Sequence, residues 1–306
     1  MNCLGLVLML ELAGQNSVGS GQIKGYNQNW SYMPSVDDPV LIANIQKLKP
    51  GAIRYPGGTL THSFDWRSGK ITSRPQKVAQ PLSQFKKLCD AVKCRAVFVL
   101  DICNQSLEDQ FAMLTEAKRI GFRIEFVELG NELYAKDKGY DKVFPTGADY
   151  GRRVAEWAPK IKAAFPGSKV AALLLARAVQ PSNKRMSQWN SQIIPLTKNV
   201  VDAYTYHIYI GESGGSFAAT AKNFRDAVSR DKLGMKELWI TEYGNQKAES
   251  DTSYLPQLIQ LADFVESFPN VKLALSHQIV GSEKNKLTKD GHGFTPEGEL
   301  FVKRSK

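Results

Sequence analysis

Cysteine and histidine are scarce in this chain, four of each in 306 residues. Cys3, Cys89, Cys94 and Cys103 form no C-x-x-C pair and have no histidine at zinc-finger spacing, so a metal site is not expected. Cys89 and Cys94 flank the end of an expected helix and the start of an expected strand. A local disulfide between them is geometrically conceivable, but buried free thiols are the better reading. Long apolar runs are also lacking: no segment reaches the ~18 residues that cross a bilayer. No Lys/Arg run exceeds two residues, and no nucleic-acid-binding motif is present. The formal charge of +10 therefore reads as a solvated basic surface, or as a match to an acidic substrate, and not as a nucleic-acid footprint. Two fingerprints are missing as well. Gly57-Gly58 and Gly214-Gly215 are isolated pairs with no G-x-G-x-x-G after the first strand, and Gly211-Glu212-Ser213-Gly214 has the wrong spacing for G-x-S-x-G. Dinucleotide binding and serine-hydrolase chemistry are set aside, and no cofactor is expected.

What is present is ordinary globular composition, 42% hydrophobic and 23% charged. The first twenty residues stand apart. Leu4 to Leu10 is an apolar run followed by Ala13-Gly14 and a polar stretch, which resembles a short signal peptide and would make the protein secreted or periplasmic. No basic residue precedes the run and Glu11 interrupts its end, so a buried strand or helix is the competing reading. Residues 21–306 are expected to form one domain.

Within that domain, strand-like and helix-like segments alternate. Strands are expected at Ile23 to Tyr26, Ala52 to Tyr55, Ala96 to Leu100, Ile124 to Leu129, Val170 to Leu175, Ala203 to Tyr209, Leu238 to Thr241 and Leu273 to His277. Between them apolar residues recur at helical spacing, as in Val154, Trp157, Ala158 and Ile161, or Leu258, Leu261, Phe264 and Val265. Eight successive βα units favour a closed (β/α)8 TIM barrel, an α/β fold, with Glu297 to Lys303 in the eighth helix.

Such barrels carry their chemistry at the C-terminal ends of the strands. Two stretches put a carboxylate there: Glu128-Leu129-Gly130-Asn131-Glu132 after the fourth strand and Trp239-Ile240-Thr241-Glu242 after the seventh. Glu132 and Glu242 facing each other across the barrel mouth would be the minimum equipment for cleaving a glycosidic bond. A retaining mechanism needs one carboxyl to protonate the leaving oxygen and one ionised carboxylate to attack the anomeric carbon, about 5 to 5.5 Å apart. Arg54 near Glu242 would keep that carboxylate ionised. Glu128, deeper in the barrel on the face of Glu132, reads as a structural partner of Arg54.

Together with Arg54-Tyr55-Pro56-Gly57-Gly58-Thr59 after the second strand, these motifs resemble the retaining glycoside hydrolases of the (β/α)8 clan with acid/base on strand four and nucleophile on strand seven. The heparanase and β-glucuronidase-like and the arabinofuranosidase and β-xylosidase-like groups are the most similar, from about Gly25 to about Phe301. The resemblance implies Glu132 as acid/base, Glu242 as nucleophile, Asn131 as partner of the sugar 2-hydroxyl and Arg54 as support of the nucleophile. It also implies that His207, with Tyr206 and Tyr209, orients the nucleophile. Trp30, Trp66 and Tyr134 lie on expected loops where aromatic faces can stack on sugars. Asn27, Asn104, His277 and Gln278 fall at other strand ends as candidates for hydroxyl contacts.

The chain departs from the family where Leu133 stands in place of a common proline after the acid/base, and where His277-Gln278-Ile279 ends strand eight without the usual aromatic. The accessory β-sandwich of these groups has no counterpart, leaving either a minimal barrel or a truncated C-terminus.

The expectation is a retaining glycosidase acting on β-glycosidic bonds of an oligo- or polysaccharide. The substrate is the one partner implied, with no nucleic acid or membrane. Oligomeric state is not legible. Two rivals remain: a non-hydrolytic carbohydrate-binding barrel, which would not need both carboxylates and Arg54, and a barrel enzyme on a phosphorylated metabolite, for which Gly244 and Gly281 offer no convincing phosphate cradle. If the positive charge serves an acidic glycan, Arg67, Lys70, Arg74, Lys136 and Lys138 should cluster at the barrel mouth. Activity on an acidic glycan would then fall steeply as salt exceeds ~0.1 M, where the Debye length is about 10 Å, while a small neutral aryl glycoside would barely respond. Equal salt responses would remove the idea.

Overall fold

The computed structural model describes residues 21–72, 79–135, 138–212, 215–246, 252–281 and 286–306. The signal-peptide-like segment with Cys3, and Arg74 and Lys136, lie outside the described residues. Eight parallel strands close into a barrel: β1 (Ile23–Asn27), β2 (Ala52–Tyr55), β3 (Arg95–Leu100), β4 (Phe126–Leu129), β5 (Lys169–Leu173), β6 (Ala203–Ile210), β7 (Glu237–Asn245) and β8 (Val271–His277). Each pairs with its sequence neighbours, and β8 returns to β1. The helices are α1 (Pro39–Lys47), α2 (Leu82–Val92), α3 (Leu107–Arg119), α4 (Gly147–Ala164), α5 (Trp189–Thr197), α6 (Phe217–Asp231), α7 (Leu255–Ser267) and α8 (Pro296–Arg304). This is the expected (β/α)8 barrel, with all eight strands where the apolar runs put them.

Local chemistry sets the boundaries. The β5 ladder stops earlier than its apolar run on the β4 side, where the Leu173 N–H is taken by the Tyr150 hydroxyl at 3.0 Å and the Leu175 N–H by the Asn190 side chain at 2.8 Å, while the Leu174 N–H still donates to the Thr205 carbonyl of β6 at 2.9 Å. Helix starts are capped by side chains: Asp38 before α1, Ser106 before α3, Thr146 with Asp149 in a reciprocal box before α4, Ser216 before α6 and Thr295 before α8. Each cap satisfies an otherwise orphaned helical N–H, an effect of about 1 kcal/mol. Among the described residues, no helix is long and apolar enough to cross a membrane.

The core has two layers. The outer one joins the strands' outward faces to the helices. The inner one fills the lower lumen with Ile23, Ala52, Val97, Phe126, Ala171, Ala203, Trp239, Leu273 and Leu275. Phe126 and Trp239 meet edge to face at 5.4 Å between centroids, and the alanines of β2, β5 and β6 make room for them. Large rings opposite small side chains give a packed plug beneath the mouth. Cys89 and Cys103 are buried free thiols and Cys94 is partly buried, so no disulfide joins Cys89 and Cys94.

Gly25 makes the β1–β2 contact possible. A Cβ at this position would lie 1.9 Å from the Ala52 carbonyl oxygen. Gly25→Ala should therefore force the strands apart and cost about 1–3 kcal/mol or more, read as a lowered midpoint in urea unfolding. An unchanged midpoint would show that β1 is not held this closely.

Candidate active site

The strands' C-terminal ends converge on one buried guanidinium. Arg54 leaves β2 into the lumen, fully buried, and uses all five of its N–H groups. Nε donates to Glu128 Oε2 at 2.7 Å and Nη2 to Glu128 Oε1 at 3.0 Å. Nη2 also donates to Asn131 Oδ1 at 2.9 Å, and Nη1 to Asn27 Oδ1 at 3.0 Å and Glu242 Oε1 at 2.7 Å. Four acceptors from β1, β4 and β7 and their ends are thereby fixed relative to one another. Because Arg54 occupies Asn131 Oδ1, that amide presents its NH2 group as the donor for a ligand. Asn27 in turn donates from Nδ2 to His277 Nδ1 at 2.6 Å.

Backbone irregularities aim both glutamates. In β7 the register with β6 slips between Tyr206 and His207, so that His207 pairs with Glu242. Strict alternation would send Glu242 outward with Ile240. The bulge brings Thr241 and Glu242 both into the lumen, where Thr241 Oγ1 donates to Glu128 Oε1 at 3.1 Å and Glu242 meets Arg54. Beyond β4, Gly130 has φ +91° and Glu132 φ +46°. A left-handed conformation at a non-glycine residue costs about 1 kcal/mol, and here it turns Glu132 back over the mouth. The turn is held from behind by His62, whose Nε2 lies 3.2 Å from the Asn131 N–H and 3.0 Å from its carbonyl, and whose Nδ1 is 2.9 Å from Asp101 Oδ1.

Glu132, His207 and Glu242 each bring an atom within 4.8 Å of the others. His207 Nδ1 is 3.1 Å from Glu132 Oε1 and 3.6 Å from Glu242 Oε2. Its Nε2 is 3.2 Å from Thr241 Oγ1, whose proton is already committed to Glu128. Both ring nitrogens thus face acceptors, an arrangement that favours the protonated ring. Burial opposes that charge, but Glu242 and Glu132 outweigh it and raise the His207 pKa. These three residues are metal-ligand types, and His207 Nδ1 lies within hydrogen-bond distance of Glu132. Tyr134 OH donates to Glu132 Oε1 at 3.1 Å, and Tyr209 OH to Glu242 Oε2 at 2.6 Å.

The environments of the two carboxylates differ. Glu242 is buried, which alone would raise its pKa, but His207, His277, Arg54 and the Tyr209 hydrogen bond bring it from an ordinary 4.5 to about 2. His277 is pushed toward its neutral form by burial and by His207 and Arg54, against the pull of Glu242. Arg54 is thus the permanent cation beside Glu242 at neutral pH. The Glu132 side chain is 31% exposed, against 7% for Glu242.

Several expected contacts are placed elsewhere. Trp30 is wholly buried; its Nε1–H donates to the Gln80 carbonyl and its ring packs against Tyr55 and Phe85, so it offers no sugar platform. Tyr206 faces outward and donates to Asp231 under α6. Alternation along β6 already separates it from His207 and Tyr209. Tyr134 is buried and acts through its hydroxyl, not its ring face. Gln278 is buried, and its Oε1 accepts from the Asn29 N–H at 3.4 Å. Asn104 is exposed and donates to the His62 carbonyl. Trp66 is partly buried beside a groove of about 650 Å³ along α3, with Arg67 stacked 4.2 Å over its ring. Thr241 and the His62–Asp101 pair were not anticipated: a threonine inside a strand and a histidine after a Gly-rich loop carry no chemical signature of their own.

Two carboxylates facing each other at the mouth of a barrel are a pair that glycoside hydrolysis can use. Comparison with known proteins points the same way: the family model described as glycosyl hydrolase catalytic core matches residues 154–296. The α-L-arabinofuranosidase C of Emericella nidulans is 21% identical over 205 residues, 55% of this chain and 39% of that protein. The chain thus spans about two fifths of the length of this curated relative. The α-L-arabinofuranosidase of Thermotoga maritima, solved with arabinose, superposes with a TM-score of 0.63 at 15% identity, over 88% of this chain and 66% of that one. The β-glucuronidase of Bacteroides uniformis gives 0.63 at 11% identity, over 93% and 35%. At these identities the structural likeness is one of fold.

The lowered pKa of Glu242 has a consequence for stability. A group whose folded pKa lies below its unfolded value contributes stability that is complete above the unfolded pKa and lost as pH falls through the folded one. For Glu242 the window runs from about 4.5 down to about 2. Glu242→Gln removes this dependence, so its unfolding free energy relative to the native protein should improve as pH falls through that window. A constant difference across it would show that Glu242 is not held ionised by its neighbours.

Proposed function

We propose that the protein is a retaining glycosidase that cleaves β-glycosidic bonds of an oligo- or polysaccharide by double displacement. The observation that carries this reading is the approach of Glu132, His207 and Glu242 to within 4.8 Å of one another. Inverting enzymes need a wider gap, about 6.5 to 9.5 Å between the carboxyl groups, to seat a water. Glu242, kept ionised beside Arg54, attacks the anomeric carbon, while Glu132 gives its proton to the leaving oxygen. Glu132, now a carboxylate, then takes a proton from the water that releases the sugar from Glu242. Tyr134 and His207 both donate to Oε1 of Glu132, which leaves Oε2 as the oxygen that carries the transferable proton. Asn131 supplies the amide donor toward the sugar hydroxyl next to the reacting carbon.

An acidic polymer as substrate rests on net charge alone; Arg67 is already engaged by Asp109 and Trp66. The arabinofuranosidase relatives favour a second reading of the sugar, an α-L-arabinofuranoside, so a substrate panel needs that compound beside the β-glycosides.

Variants at the two glutamates separate their roles. Glu242→Ala should abolish turnover of every substrate. Glu132→Ala should lose about 10²–10⁴-fold on poor leaving groups, lose little in the first step on activated aryl glycosides, and regain turnover with azide, which needs no base. Equal losses in both variants on an activated substrate, without azide rescue, would contradict the assignment.

A further inference from the structure

Next to the contact between Tyr134 and Glu132 stands an ion pair that the mechanism above does not use. Arg177, just past β5, pairs through Nη1 with Glu212 Oε1, just past β6. The guanidinium lies 5.5 Å from the centre of the Tyr134 ring, and Tyr134 OH reaches Glu132 Oε1. Both charged side chains are partly open and line a small cleft with His207, Tyr209 and Asn223. The pair is half-buried, yet its charged groups keep an edge open to the cleft.

Its position follows from the proposed chemistry. The sugar that is attacked sits over Glu242, among Arg54, Asn27, Asn131 and His277 from strands 1, 2, 4 and 8. The proton donor serves the oxygen on the other side of the scissile bond. Groups next to the Tyr134–Glu132 contact, at the ends of β5 and β6, therefore face the leaving group. We infer that Arg177 and Glu212 form the leaving-group subsite and select an uncharged, hydroxyl-bearing leaving group. A hydroxyl both donates and accepts, so it can bond to carboxylate and guanidinium at once. A carboxylate or sulfate ester only accepts, and would meet the negative charge of Glu212. This inference rests on the proposed glycosidase activity.

The test uses three substrates with one glycone: a glycosyl fluoride, whose leaving group is too small to reach the subsite, and two aryl glycosides with phenols of matched acidity, one bearing a carboxamide and the other a carboxylate. The wild-type protein should favour the carboxamide by about tenfold or more in kcat/KM, as expected for like charges brought together. Glu212→Gln should bring the ratio to within about threefold, and Glu212→Asp, which keeps the charge, should preserve it. Turnover of the fluoride shows that each variant is folded and chemically competent. A preference unchanged in Glu212→Gln, with the fluoride still hydrolysed, overturns the subsite and leaves the glycosidase reading standing. Failure of the wild-type protein on all three overturns both.

Discussion

The site is organised around the buried guanidinium of Arg54. Stripping a cation of water costs several kcal/mol unless charge and hydrogen bonds replace the solvent. Arg54 meets that requirement with two carboxylates, Glu128 and Glu242, and two amide oxygens, those of Asn27 and Asn131. One positive charge against two negative ones would leave a buried excess. His207, whose pKa is raised by Glu242 and Glu132, favours positive charge on the same side. Arg54, Glu128, Glu242 and His207 form one electrostatic group in which each member depends on the rest. Glu132 lies outside this group, at the rim, with its side chain partly open to solvent.

The division between Glu128 and Glu242 follows from their hydrogen bonds. Glu128 binds Arg54 in a fork and also accepts from Thr241, so its lone pairs are spent inside the protein. Glu242 takes a single bond from Arg54 on one oxygen and Tyr209 on the other. The first carboxylate anchors the cation. The second is oriented by it and keeps a face toward the mouth.

How much of this was readable in advance depended on whether a feature is periodic. The eight strands announce themselves because buried parallel strands are continuous apolar runs, and the helices because Val154, Trp157 and Ile161 repeat at helical spacing. Arg54, Glu132 and Glu242 stand out because a charged residue at the end of an apolar run needs a reason. Aromatic residues do not carry that information. Trp30 looks like a sugar platform in sequence and Tyr206 like a companion of His207, but a ring beside a strand is as useful to the outer core, and only the packing of Phe85 and α6 decides. Tyr206 could have been excluded by alternation, since it falls on the opposite face from His207 and Tyr209.

The β7 bulge marks the limit of such reasoning. Counting by twos from Trp239, which is in the lumen, puts Thr241 inside and Glu242 outside, so strict alternation would have rejected the nucleophile candidate. The structure admits it because one residue is inserted against β6. Glu132 similarly stands in a left-handed conformation that its residue type does not favour. Both carboxylates are thus presented by departures from regular geometry, whereas Glu128, on a regular part of β4, is confined to the structural role. Regular strands build the plug and hold the guanidinium. The two irregular residues, each stabilised by neighbours that regular structure supplies, are the ones turned toward the barrel mouth.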